Sequence, residues 1–357
     1  ATGAVLGAYL PMWFIEGDAI ITETTLSHSG RGRLPQFSQP LRARLTEYGY
    51  DHYSKAYLGS FKEYVPDYYK TGYFLTSEVR RRYGAQTWSD VIDYTGRNSW
   101  SLIPLRLKLR ETGFRSPAKL YKAVFDSLET AWQNYDDTLT LSQNDTIARG
   151  KDDFTNLEYP VFTPNGDLMA QISGPGQRTR IVEIKNNGSI ETIAYTGNRN
   201  NGPITANDQY VAWAESDPHL RWPNADYSII RLYNRSTGKI STLKPRTRFF
   251  APALDSNRSR IAVAETTGAY QFFLTILNVE TGEVLHRIPT PGNAYPIHPS
   301  WSDIENELVL ILQNEAGKRI VSYNTETDKW KTLRKPALDE NEYPQKNKKH
   351  HRYKTST

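Results

Sequence analysis

Three segments of the chain repeat one pattern: 233–238 is Tyr-Asn-Arg-Ser-Thr-Gly, 277–282 is Leu-Asn-Val-Glu-Thr-Gly and 323–328 is Tyr-Asn-Thr-Glu-Thr-Asp. Asparagine, threonine and glycine at these positions are typical of tight turns between antiparallel strands. Short runs of β-branched and aromatic residues precede the segments, as at 228–233 and 272–277. The pattern therefore predicts one β-hairpin that the chain uses three times.

A second set of turns recurs over a longer distance. These turns begin at Thr163, Thr205, Leu254 and Trp301, so successive turns are 42, 49 and 47 residues apart. Repeats of about 40 to 50 residues with several short strands each are typical of β-propeller blades. Four repeats predict a four-bladed ring or an incomplete ring, and we favour the incomplete ring. The alternative is a β-sandwich with fortuitous spacing.

The first part of the chain has a different periodicity. Apolar and aromatic residues recur at helical spacing from about residue 11 to residue 134, which predicts a helical domain. We therefore expect a multidomain protein that combines an α domain with an all-β domain. The predicted ranges are a helical domain at 1–140, a linker at 141–158, propeller repeats at 159–340 and a basic, disordered tail at 341–357.

The charge and composition exclude several classes of function. The formal net charge is +5, but five Lys and Arg residues and no acid lie within 346–357, so the rest of the chain is neutral. A nucleic-acid-binding domain needs a basic surface on its folded part, so we expect no nucleic-acid partner. The chain has no Cys, which excludes disulfides and thiolate metal sites. No segment has the length and hydropathy of a transmembrane helix.

Residues 11–24 (Pro-Met-Trp-Phe-Ile-Glu-Gly-Asp-Ala-Ile-Ile-Thr-Glu-Thr) carry the best candidate for a chemical site. In a helix that begins near Pro11, Glu16 and Glu23 are two turns apart and project from the same face. Such a pair can simply be a solvated stripe. Aromatic and apolar neighbours instead predict a mostly buried helix, in which a metal ion or a cation would compensate the carboxylates.

The motif Trp-Phe-Ile-Glu-Gly-Asp-Ala, followed by Glu23, resembles the gluzincin zinc metallopeptidases of the aminopeptidase-like branch. The resemblance implies that Glu16 is the third zinc ligand. It also implies that Glu23 orients a zinc-bound histidine from outside the ligand set. The acid that thermolysin-type enzymes place four residues after the ligand is absent, because Ile20 occupies that position.

The segment 64–72 resembles the Tyr-x-x-Gly helix start of the same aminopeptidases. The resemblance implies that Tyr69 is a catalytic residue whose hydroxyl stabilises the oxyanion, with Tyr68 as the alternative register and aromatic packing as the alternative role. The strand repeats are similar to TolB-like and WD-type propellers. Residues 9–134 together with these repeats look like a bacterial cell-envelope group, which implies export to the periplasm or the outer-membrane surface.

One departure from the family pattern limits the expected activity. None of the seven histidines is followed by Glu, so the His-Glu-x-x-His motif is absent from these 357 residues. That motif supplies two zinc ligands and the general base. We expect a chain that is inactive by itself. It would bind zinc only when a missing N-terminal segment of the same protein is supplied, and would then act on a peptide or protein substrate.

Two other functions compete with this interpretation. The chain can be a non-catalytic cell-envelope propeller that binds protein or glycan. It can also be a glycosidase that uses Glu16 and Glu23, although two turns of helix separate them by about 10 Å along the axis, more than a retaining pair requires. The loop that contains Arg31 and Arg33 can bind a carboxylate or phosphate, or can be a solvated turn.

Overall fold

The computed structural model describes residues 9–27, 30–98, 100–101, 103–140, 146–148, 155–197, 202–222, 226–256, 259–302 and 306–337. The chain divides into two compact units, residues 1–144 and 145–357. The described part of the first unit is helical, and that of the second consists of strands. The predicted combination of a helical part with a strand-rich part is confirmed. The predicted tail at 341–357 and most of the predicted linker lie outside the described residues.

Seven α-helices form the described part of the first unit, and their bounds are α1 (Met12–Leu26), α2 (Pro35–Tyr48), α3 (Tyr53–Leu58), α4 (Tyr68–Tyr83), α5 (Gln86–Arg97), α6 (Pro104–Leu109) and α7 (Pro117–Asp136). Pro11 precedes the first helix, as predicted. Side chains cap other helices: Asp67 accepts a hydrogen bond from the backbone N–H of Lys70 at 2.9 Å, at the start of α4. No described helix combines the length and hydropathy that crossing a membrane would require.

The helical unit has a single core rich in aromatic residues. Its fully buried members come from helices α1, α2, α4, α5, α6 and α7, and include Trp13, Leu41, Leu75, Trp88, Leu109 and Phe125. The Trp88 indole donates a hydrogen bond to the carbonyl of Thr76 at 3.0 Å, which satisfies its polar atom inside the core. Because six helices contribute to this core, the backbones of α1 and α4 are held in a fixed arrangement.

The described part of the second unit contains four antiparallel sheets of four strands, and each sheet follows the chain order. Sheet 1 has β1 (Asn156–Phe162), β2 (Leu168–Gly174), β3 (Gln177–Ile184) and β4 (Ile190–Tyr195). Sheet 2 has β5 (Thr205–Ala206), β6 (Tyr210–Asp217), β7 (Tyr227–Asn234) and β8 (Ile240–Thr242). Sheet 3 has β9 (Phe249–Leu254), β10 (Arg260–Thr266), β11 (Phe272–Asn278) and β12 (Val284–Pro289). Sheet 4 has β13 (Tyr295–Trp301), β14 (Glu307–Asn314), β15 (Gly317–Asn324) and β16 (Lys329–Ala337).

Consecutive sheets pack face to face through separate apolar layers. Met169 of sheet 1 and Trp213 of sheet 2 belong to one layer, and Ile230 and Ile261 join sheets 2 and 3 in the next. A third layer between sheets 3 and 4 contains Leu274, Leu310 and Tyr323. Four consecutive four-stranded meanders that stack in chain order are blades of a propeller-type arrangement. The predicted repeats are therefore confirmed as a partial propeller.

The repeated hairpin has a local physical cause. Asn278 is the last residue of the third strand of sheet 3, and its side-chain oxygen accepts hydrogen bonds from the backbone N–H groups of Glu280 at 2.9 Å and Thr281 at 3.0 Å. Asn234 and Asn324 make the same pair of bonds in sheets 2 and 4. Such a side-chain turn fixes the backbone between the last two strands of sheets 2, 3 and 4.

Candidate functional site

Helix α1 carries both predicted carboxylates and buries only one of its faces. Trp13 is buried, and its ring lies edge-on to Trp88 with centroids 6.4 Å apart. Glu16 and Glu23 are partly exposed. Ile15, which directly precedes Glu16, is 38% exposed. The expectation of a mostly buried helix is therefore wrong. Water reaches the carboxylate face, so burial alone does not demand a metal ion there.

A contact between two glycines positions Glu16 relative to Tyr69. A methyl group built on Gly72 of α4 would lie 1.8 Å from the carbonyl oxygen of Trp13, and one built on Gly17 would lie 2.2 Å from the carbonyl carbon of Gly72. The backbones of α1 and α4 therefore touch, which only glycine permits at these two positions. Glu16 directly precedes Gly17, and Tyr69 lies one turn before Gly72.

Tyr69 has an environment that keeps its hydroxyl protonated. Partial burial, the negative charge of Glu16 and a hydrogen bond with Tyr68 raise the pKa of Tyr69, while the charge of Arg31 lowers it less. The ring packs against Tyr68 with centroids 4.7 Å apart. A neutral tyrosine hydroxyl is a hydrogen-bond donor, so Tyr69 can donate to an oxygen that carries negative charge.

Arg31 connects the Glu23 carboxylate to Tyr69. Its backbone N–H donates to Oε1 of Glu23 at 3.0 Å, and its Nε donates to Oε2 at 2.9 Å. Its guanidinium carbon lies 5.3 Å from the centroid of the Tyr69 ring, which is a cation–π distance. Arg31 follows α1 in the 3-10 turn Arg31–Arg33. The neighbouring Arg33 donates to the carbonyl of Thr24 at 2.8 Å, so both predicted anion-binding arginines contact α1.

Glu23 is ionised and already has a partner. Partial burial raises the pKa of Glu23, but the hydrogen bonds and the positive charge of Arg31 outweigh that effect and lower it. A carboxylate has about four lone-pair positions, so two bonds from Arg31 leave acceptor capacity for another donor. The role implied for Glu23, as the acceptor from a histidine N–H, stays a prediction.

The zinc-ligand role implied for Glu16 also stays a prediction. Within the described part of the chain, no hydrogen bond or ion pair reaches the Glu16 carboxylate. The same residues contain no group of three His, Asp or Glu side chains that could hold a metal ion. Zinc sites in proteins use three or four protein ligands. The described residues by themselves therefore do not fit zinc, although Glu16 is available as one ligand.

A small aromatic pocket lies next to these residues. Its volume is about 180 Å³, and it lies between the start of α1, helix α3 and the start of α4. In the wall of this pocket, the indole N–H of Trp13 donates a hydrogen bond to the Tyr53 hydroxyl at 3.0 Å. Met12, which lies one turn before Glu16, and Tyr68, which directly precedes Tyr69, also line the pocket. The pocket offers an apolar surface beside the candidate site.

Sequence reasoning missed the two contacts that organise this site. Gly17 and Gly72 belong to the two motifs that were recognised, but the motifs do not indicate that their glycines touch. Arg31 was interpreted as an anion-binding or solvated residue, and its partner is Glu23, eight residues earlier. The only signal available was a glycine on each side of Arg31, which allows the chain to turn back onto α1.

The second unit has a recurring irregularity that sequence reasoning also missed. Tyr159, Ala251 and His298 have positive φ values of 54°, 44° and 46° in the first strand of sheets 1, 3 and 4, where the strand register shifts. Each residue precedes a proline. Proline lacks an N–H group and is tolerated in strands that have one free edge. A cavity of about 100 Å³ is lined by Ala214, Ala251 and His298, which belong to three successive sheets.

Comparisons with known proteins concern the fold. No protein-family model matches the chain, and no curated protein matches it. The β-propeller domain of the Trilobed protease from Pyrococcus furiosus has 12% identity and a TM-score of 0.40, and covers 50% of this chain and 57% of that one. An oligogalacturonate lyase in complex with manganese has 14% identity and a TM-score of 0.39, with coverages of 51% and 54%. TolB from Acinetobacter baumannii has 14% identity and a TM-score of 0.31, with coverages of 52% and 56%.

This chain therefore spans little more than half the length of each of these three proteins. At such identities the solved structures say nothing about chemistry. The propeller-type arrangement of the second unit follows from the topology of its own four sheets.

Proposed function

We propose that the helical unit is the C-terminal part of a gluzincin-type metallopeptidase domain and that the propeller repeats bind its peptide or protein substrate or a partner. The observation that carries the proposal is the contact between Gly17 and Gly72. It brings together the two motifs that resemble the family, Glu16-Gly17 and Tyr69-x-x-Gly72, although they are more than 50 residues apart in the chain.

In this proposal Glu16 would supply one zinc ligand, and Glu23 would accept a hydrogen bond from a histidine ligand. Tyr69 donates to the oxygen that becomes negative when a peptide carbonyl is attacked, an interaction worth about 3 to 4 kcal/mol of barrier. The aromatic pocket beside Tyr68 would receive an apolar side chain of the substrate. The two histidine ligands and the general base come from a His-Glu-x-x-His segment of the same protein, outside these 357 residues.

Metal analysis of two preparations tests the proposal. The 357-residue chain alone is expected to contain no stoichiometric zinc. The same chain produced together with the segment encoded upstream of it is expected to contain about one zinc per complex, because three ligands are then present. Glu16→Gln should remove that zinc, whereas Glu47→Gln, an exposed carboxylate on α2, should retain it.

Two results would contradict the proposal. One is an upstream coding sequence without a His-Glu-x-x-His motif. The other is stoichiometric zinc in the 357-residue chain alone, because the described residues contain no group of three His, Asp or Glu side chains that could hold it. Fractionation of the source cells tests the associated proposal that the protein is exported to the cell envelope, since recovery in the cytoplasmic fraction alone would contradict it.

The second candidate function is a non-catalytic propeller that binds a protein or glycan. It is favoured by the cavity that Ala214, Ala251 and His298 line from three successive sheets. Binding sites in propellers built from several blades are concave and central. If His298→Ala abolishes binding of a partner while Glu16→Gln does not, and no hydrolysis is found with the upstream segment present, this function replaces the first.

A further inference from the structure

A basic pocket lies between sheets 2 and 3 of the second unit. Its volume is about 420 Å³, which is within the range of small-molecule sites. One wall is the connection from β8 to β9, which contributes Lys244, Arg246 and Arg248. The other wall is formed by the end of β10 and by β12, with Glu265 and Arg287.

The charges of this pocket do not balance. No carboxylate among the described residues pairs with Lys244, Arg246 or Arg248. Glu265, the acid among the described lining residues, is already paired with Arg287: it accepts from the Arg287 guanidinium at 2.9 and 3.0 Å and from the Thr275 hydroxyl at 2.6 Å. Three positive charges therefore line one cavity without an ion-pair partner among the described residues, and of these Lys244 and Arg246 are exposed while Arg248 is partly buried. The chain before residue 346 has a formal net charge of zero.

Hydrogen bonds hold the basic wall in place. The backbone N–H of Ser228 donates to the carbonyl of Thr247 at 2.9 Å, and the Thr247 hydroxyl donates back to the carbonyl of Ser228 at 2.9 Å. On the other side, the N–H of Thr266 donates to the carbonyl of Arg248 at 3.1 Å. The connection is therefore bound to both neighbouring sheets. A ligand does not have to order it, which favours binding.

Like charges that share a cavity repel one another, and a bound anion relieves this repulsion. Arg248 lies next to the buried Phe249, and its side chain is partly buried, so water screens its charge less than at the open surface. Guanidinium groups bind phosphate and carboxylate oxygens in a bidentate manner. Threonine and glycine residues at 266–268 add polar groups to the opposite wall.

We propose that this pocket binds a small ligand with two or more negative charges on oxygen, either a phosphate group or a cluster of carboxylates. Lys244, Arg246 and Arg248 bind the anion, and the wall formed by Thr266 and Thr267 contacts the remainder of the ligand. The proposal concerns the propeller repeats alone and does not depend on the metallopeptidase proposal.

Calorimetric titration of the complete chain with inorganic phosphate and, separately, with citrate tests the proposal. We expect saturable binding of at least one of the two anions, and affinity that falls as NaCl is raised, because salt screens exposed charges. Binding of citrate alone assigns the site to carboxylates, and binding of phosphate alone assigns it to phosphate groups. Either result supports the proposal. Absence of binding of both anions at low salt overturns it.

A pair of double variants locates the site. Lys244→Gln with Arg246→Gln is expected to weaken anion binding at least about tenfold, because two charge-assisted contacts are lost. Arg178→Gln with Lys331→Gln removes the same charge from exposed positions on sheets 1 and 4 and should leave the affinity within about twofold. Equal weakening in both variants, with thermal unfolding unchanged, would show a general charge effect and overturn the proposed site.

Discussion

At the scale of single residues, the candidate site depends on charges close to the Tyr69 hydroxyl. Glu16 raises the pKa of Tyr69 and Arg31 lowers it, because a negative charge disfavours the phenolate and a positive charge favours it. We expect Glu16→Gln to lower the pKa of Tyr69. NMR titration of chain labelled at the tyrosine rings measures this pKa. Glu47→Gln is the control, and an unchanged Tyr69 pKa in Glu16→Gln would mean that the two groups are not neighbours.

Glu23 gives a second prediction at this scale. Arg31 lowers the pKa of Glu23 below its ordinary value of 4.5, so the ion pair stabilises the fold above that pH and the stabilisation is lost as the pH falls. We expect Glu23→Gln to be less stable than the unmodified protein at neutral pH. The difference should shrink as the pH falls through the lowered pKa of Glu23, since the glutamate is then protonated and neutral, as the glutamine is. Urea unfolding at several pH values measures it, and a difference that grows on acidification would contradict the ion pair.

At the scale of helices and strands, the crossing of α1 and α4 is the most sensitive element. Gly72→Ala would place a methyl group 1.8 Å from the Trp13 carbonyl oxygen, so one helix must move. We expect a loss of about 3 kcal/mol or more in the free energy of unfolding, as for severe overpacking. Gly96→Ala is the matched control, because nothing lies within 4 Å of a methyl group at that helical position. It should be neutral or stabilising by up to about 1 kcal/mol.

Chemical unfolding followed by circular dichroism measures both variants. Equal stability of Gly72→Ala and Gly96→Ala would mean that the helices do not touch at Gly72. The crossing also connects stability with the site, because separation of the helices would move Tyr69 away from Glu16. A variant that folds but has shifted helices should therefore show a lower pKa of Tyr69.

The repeated hairpin gives another prediction for an element. Asn278→Ala removes the acceptor for two backbone N–H groups, and we expect a loss of about 1 kcal/mol. Asn278→Asp keeps an acceptor oxygen and should cost clearly less. Thermal unfolding of the two variants compares them. If alanine and aspartate behave alike, the side-chain turn does not stabilise the hairpin.

This hairpin also explains which parts of the fold the sequence could predict. Its cause is local, because Asn234, Asn278 and Asn324 bond to N–H groups two and three residues ahead, and local causes leave a sequence pattern. Glu16, Glu23 and Tyr69 were likewise selected from their motifs, and their roles stay predictions. The contact between Gly17 and Gly72 and the partner of Arg31 were not found, because both arise from packing between separate segments, which no spacing along the chain reveals.

At the scale of the second unit, the four sheets form a series in which each apolar layer joins neighbours. Layers join sheets 1 and 2, sheets 2 and 3, and sheets 3 and 4, and the described residues contain no comparable layer between sheets 4 and 1. In such a series stability depends on the number of neighbours that a repeat has. Sheets 2 and 3 have two neighbours each and therefore form the most stable part.

Hydrogen exchange measured by mass spectrometry can test whether sheets 2 and 3 are the most stable sheets. Amides of β6 and β10, the second strands of sheets 2 and 3, should exchange most slowly, because their release requires two apolar layers to open. Amides of β14 in sheet 4 should exchange faster, since a single layer holds that sheet. Strands β10 and β14 have similar lengths, and each pairs with a strand on both sides, so their backbone hydrogen bonding is comparable. Protection of β14 equal to that of β10 would indicate that sheet 4 has a second neighbour, which would close the ring.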